Sequence, residues 1–97
     1  MTLSNETQKF LDSQIEYYIK EATSYKEMAE EYNLDVNSVS DTAFGIIIGC
    51  IYSSFLQTYT NQSIPKSQDI EEFTEIIIKN SKKIKESVVI DDHSKLK

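Results

Sequence analysis

Residues 43–56, AFGIIIGCIYSSFL, carry no charge, and their only polar side chains are Tyr52, Ser53 and Ser54. A helix that is apolar all round has to be covered all round. The segments on either side are striped, apolar on one side and charged on the other, so they read as its cover. A chain of 97 residues makes one domain, 1–97, with a modest core. With two Gly and one Pro it has few breakpoints, which favours long helices over a many-turned β fold. The expected fold class is all-α: an antiparallel bundle of three long helices with the apolar helix at its centre, completed by dimerisation.

The first segment spans residues 4–32. Leu11, Ile15, Tyr18, Ala22, Tyr25, Ala29 and Tyr32 alternate spacings of four and three, a heptad seam. Phe10, Ile19 and Met28 widen the seam into a face. Ser4 or Asn5 can cap its start. Asn33 suits a left-handed C-terminal cap, with Leu34 folding back on the last turn. Ser24 and Glu27 make a capping box that would break the segment, but the seam passes through Thr23-Ser24 in phase, so one continuous helix is expected.

The second helix is expected over residues 36–60, capped by Asp35, with residues 61–65 as the following loop. The third is expected over 68–90, from Ser67 or Asp69, with Asp69 and Glu72 as a capping box. Its inner face is Ile70, Phe73, Ile77, Ser81, Ile84 and Val88; Ile76 and Ile78 lie off this stripe and hint at a second contact surface. Residues 91–97 form a polar tail.

Charge narrows the partners. The net charge is −6, and all ten basic residues are Lys. Residues 1–64 hold nine acids and three lysines; residues 65–97 hold seven of each. Without Arg, the chain lacks the fork that reads phosphate and guanine bidentately, so nucleic acid is a poor partner. Cys50 is the only cysteine and reads as a small buried hydrophobe. The N-terminus has no apolar signal region, and the uncharged run is shorter than the roughly 20 residues that span a bilayer. These features fit a cytoplasmic, acidic protein that does not enter a membrane.

Two patterns in the central helix have alternative readings. Gly45, Gly49 and Ser53 stand four apart on one face, where another backbone can come close. That backbone belongs either to another helix of the same chain or to a second copy. Tyr18, Tyr25 and Tyr32 repeat every seven residues, as do Tyr52 and Tyr59. With no cationic groove beside them, they read as a seam with hydroxyls at the rim rather than a stack for bases.

Residues 25–44, YKEMAEEYNLDVNSVSDTAF, resemble a helix-turn-helix of the bacterial-repressor type through Met28, Ala29, Asn33, Leu34, Val36 and Val39. That resemblance implies a DNA-binding regulator with a recognition helix from Asn37 onward, Asn37, Ser38 and Asp41 toward DNA. The pairs Glu27–Glu30 and Glu72–Glu75 resemble the E-x-x-E helices of all-α nucleotide pyrophosphatases, which implies Mg²⁺ held by acids on adjacent helices. His93, the only histidine, stands in the tail, so neither a triad nor a His/Cys metal cluster is expected.

The reading these features favour is a non-enzymatic assembly or adaptor protein with no catalytic residues, cofactor or metal. It would bind a second copy of itself, and another protein, through Gly45, Ile48, Gly49, Tyr52 and Ser53, helped by Ile76 of the third helix. The helix-turn-helix regulator is the alternative, followed by the Mg²⁺-dependent hydrolase.

Overall fold

The computed structural model describes residues 3–59 and 64–89. It is all-α among these residues, with four helices: α1 (Asn5–Lys20), α2 (Ala22–Glu30), α3 (Val39–Leu56) and α4 (Ser67–Ser87). The tail and the centre of the loop before Pro65 lie outside the described residues.

The continuous first helix is corrected to two, α1 and α2. The break falls at Glu21 rather than at Thr23-Ser24. Glu21 leaves the helical region, with φ −94° and ψ 16°. Its N–H still donates to Tyr17 O at 3.0 Å, and Ser24 N–H donates to Glu21 O at 3.0 Å. The hydrogen-bonded ladder is tightened rather than abandoned, which is why the seam keeps its phase. Leu11, Ile15, Ala22 and Ala29 are buried, and Tyr18 and Tyr25 half-buried. The seam ends there, because Tyr32 is 51% exposed. On either side of the break the packing differs: α1 lies against both α3 and α4, whereas α2 makes its main contact with α3.

The start of α3 is also corrected, from residue 36 to Val39. Its cap is Ser38, whose Oγ accepts from Asp41 N–H at 3.1 Å. Asp41 in the first turn suits the helix dipole. The helix ends at Leu56, four residues short of the expected limit, so it is about 27 Å long at 1.5 Å per residue. At the other termini the caps follow the sequence more closely. Ser4 Oγ accepts from Thr7 N–H at 3.1 Å. At α4, Asp69 closes the box at the third helical position rather than opening it as the cap, accepting from Lys66 N–H at 3.3 Å.

The core is a single cluster. Leu11, Ile47, Ile51, Phe55, Ile84 and Val88 are its largest fully enclosed side chains. Phe55 stacks on Phe73 at 4.8 Å between ring centroids and meets Tyr59 edge-on at 5.4 Å. The inner face of α4 is as expected for Phe73, Ile77, Ile84 and Val88, all buried, with Ile70 and Ser81 half-buried. Ser81 sits there at low cost because its hydroxyl donates to Ile77 O at 2.9 Å. Leu3 joins the core from outside any helix; its N–H donates to Glu72 Oε1 at 3.1 Å.

One polar link ties the loop after α3 to the start of α4. The Tyr59 hydroxyl donates to Asp69 Oδ2 at 3.0 Å, and Asp69 is buried. Burial and this bond to Asp69 push the Tyr59 phenol from 10.0 up to about 12. A pKa raised on folding stabilises the fold in full below the unfolded value and loses that contribution as pH rises through the folded one. The stability gap between wild type and Tyr59→Phe should therefore be constant below pH 10, then close between 10 and about 12. Urea titrations of both proteins across that range would show it; a gap that stays constant throughout would refute the link.

Candidate functional site

The buried residues of α3 are Val39, Ala43, Ile47, Ile51 and Phe55, every fourth position. A stripe of that spacing covers one side of a helix. Phe44, Ile46, Ile48 and Cys50 are half-buried on its flanks. The side facing away carries Gly45, Gly49, Tyr52, Ser53 and Leu56, all exposed. Tyr52 is 36% and Leu56 37% exposed. Apart from Asp41, paired with Lys85 of α4, this face has no charge along its length.

Both glycines are open. A Cβ built on Gly45 or Gly49 would meet nothing within 4 Å. Among the described residues, then, no other helix of the chain packs closely against this row. Gly inside a helix costs on the order of 1 kcal/mol against Ala, and the described residues give the row no steric reason to be Gly.

Along one edge of this face runs α4. Tyr52 leans on Phe73 at 5.2 Å between centroids. Ile76, one turn further along α4, is half-buried against the core. Lys85 caps the far end, its Nζ 6.0 Å from the centre of the Phe44 ring and in ion-pair contact with Asp41. Along the other edge lie α1 and α2, where Tyr25 packs beside Tyr18 at 5.4 Å. Burial, then the neighbouring Tyr18 and Cys50, raise the Tyr25 phenol. Tyr18, Tyr25, Tyr52 and Tyr59 thus sit in aromatic packing, whereas Tyr32 stands exposed. Ile78, also singled out in the sequence, is 65% exposed on α4.

The other candidates are placed differently. Of the helix-turn-helix positions, Ala29 and Val39 are buried and Val36 half-buried, but Met28 is 46% and Leu34 95% exposed. Leu34 does not fold back on α2. Ser38 is occupied with capping α3, and Asp41 with Lys85. Glu27 and Glu30 are exposed on α2, and Glu72 of α4 holds the Leu3 N–H. Among the described residues no group of three or more His, Cys, Asp or Glu side chains gathers where it could hold a metal ion. A small cleft of about 180 Å³ between α1 and α4 is lined by Asp12, Ile15, Glu16, Asn80 and Lys83, two carboxylates with a single ammonium among them. α3 is long and apolar enough to cross a membrane by length and composition alone, a condition that the core helix of a globular domain also meets.

Comparison with protein-family models, with curated proteins and with solved structures finds no match for this chain.

Proposed function

We propose that this protein is a non-enzymatic helical assembly protein that pairs with a second copy of itself through the uncovered face of α3. The observation that carries the reading is the open row Gly45, Gly49 and Ser53, two glycines kept in mid-helix with empty space where a side chain would stand. Apart from the Asp41–Lys85 pair the face is uncharged in a protein of net charge −6, so two copies can meet there without like charges facing each other. Tyr52, Leu56 and Ile48 supply apolar area beside the row, and Ile76 of α4 extends it. A two-fold axis would lay each row on its own copy, and the two domains together would complete the cover that α3 lacks.

Sedimentation equilibrium of the whole chain tests this directly. A mass of two chains at micromolar concentration, falling to one on dilution, is the expected result. A single-chain mass throughout that range would end the proposal. The DNA-binding alternative predicts binding that falls steeply with salt. With an acidic surface and no Arg, no gel shift is expected at about 100 mM salt; salt-sensitive binding in the micromolar range would favour that alternative instead.

A further inference from the structure

A second surface, separate from the open face of α3, combines exposed apolar side chains with acids that have no ion-pair partner among the described residues. Met28, Tyr32 and Leu34 stand within seven residues at the end of α2 and in the turn after it, and they are 46%, 51% and 95% exposed. Single exposed hydrophobics are ordinary; three together on a short stretch mark a contact surface. Leu34 is the most exposed of the large hydrophobics described. The turn that presents them is ordered by its own backbone: Tyr32 N–H donates to Ala29 O at 3.0 Å and Asp35 N–H to Tyr32 O at 2.8 Å.

The same stretch holds Glu27, Glu30, Glu31 and Asp35, all exposed. Among the described residues none of the four has an ion-pair partner, since the one salt bridge joins Lys85 to Asp41. No basic residue occurs between Lys26 and Lys66 in the sequence. The chain's own lysines crowd instead onto α4, at Lys79, Lys82, Lys83 and Lys85. Exposed apolar side chains interleaved in sequence with exposed carboxylates complement a segment with the opposite pattern, an apolar stripe flanked by ammonium or guanidinium groups.

We propose that the end of α2 and its turn dock a basic amphipathic helix from a different protein, with Met28, Tyr32 and Leu34 taking its apolar stripe and Glu27, Glu30, Glu31 and Asp35 its cations. The acids steer the encounter and set the sign of the partner; the apolar trio distinguishes an amphipathic helix from any other polycation. Because the patch does not share residues with the α3 face, this docking is independent of self-association.

The test is an NMR titration of the whole chain with three synthetic peptides: an amphipathic helix of Leu and Lys, the same pattern in Leu and Glu, and a Gly/Lys peptide of equal positive charge. The Leu/Lys peptide should give saturable shifts confined to residues 25–36, and the other two should give none. Met28→Ser with Leu34→Ser should weaken binding at least ten-fold, and Glu31→Lys with Asp35→Lys comparably. All four side chains are exposed, so the folds of these variants are expected to hold, which their amide spectra would confirm. Gly49→Leu should leave the titration unchanged. Equal binding of the Gly/Lys peptide would reduce the patch to bare charge and overturn the proposal. Shifts that fall on α3 instead would overturn it too, as would a change in self-association caused by the Met28/Leu34 pair, which would make the occupant a second copy.

Discussion

Phe55→Ala is expected to cost about 3–5 kcal/mol, the range for truncating an enclosed aromatic. Phe55 is fully buried, and it ties three elements together: from α3 it stacks on Phe73 of α4 and meets Tyr59 of the intervening loop. Removing the ring would leave a void lined by Phe73, Tyr59 and Tyr52, rigid groups that cannot close over it by rotating a flexible chain. A domain of this size has about 5–15 kcal/mol in total, so a large share would go. At roughly 4–8 °C per kcal/mol for a chain of this length, the midpoint should fall by about 12–40 °C. Tyr52→Ala supplies the comparison. Tyr52 shares the aromatic group but is 36% exposed, so its truncation should cost less than half as much. Thermal and urea unfolding followed by far-UV circular dichroism would measure both. A loss below about 1.5 kcal/mol for Phe55→Ala would show that the site collapses freely and that the ring is not the joint between α3 and α4.

What the sequence revealed and what it hid follow from where the signals reside. The period of the apolar residues is written in the chain, so the inner faces of α1 and α4 and the apolar identity of α3 could be read directly. The Ser38 cap was legible as well: Ser38 and Asp41 have the S-x-x-D spacing, but Asp35 stood closer to the expected start and drew the boundary forward. The break at Glu21 has no such signal. No Gly, Pro or side-chain cap marks it, and it leaves the seam in phase; it reflects how α1 and α2 pack on different neighbours, which is a tertiary property. Leu3 was missed because a single apolar residue ahead of a cap has no period to belong to. The glycine row illustrates the limit most clearly. Spacing alone placed Gly45, Gly49 and Ser53 on one face, but whether that face was filled by the same chain depended on where the other helices lay. Only the packing shows that the described helices leave the row open.

That openness gives Gly49→Leu a specific expected result: the fold holds and the pairing is lost. Within one chain the new side chain would project into space where a Cβ meets nothing within 4 Å. Leu also favours a helix over Gly by roughly 0.8 kcal/mol. The isolated variant should therefore melt at or slightly above the wild-type temperature when both are compared at a concentration where the wild type is a single chain. In a pair crossing through this row the effect reverses. The axis would bring the Leu of each copy against the other backbone, forcing the helices from a glycine-width approach to the ordinary separation of about 8–10 Å and uncovering the contacts of Ile48 and Tyr52. Each apolar side chain returned to water forgoes about 1.5–3 kcal/mol, so losing even one per copy should weaken association by two orders of magnitude or more. Gly49→Ala calibrates the change: it should gain about 1 kcal/mol in the single chain and weaken pairing only in part. Sedimentation equilibrium and thermal melts on the same samples separate the two quantities. A Gly49→Leu protein that pairs as tightly as wild type would exclude the glycine row from the interface, and one that fails to fold would mean that the row is covered after all.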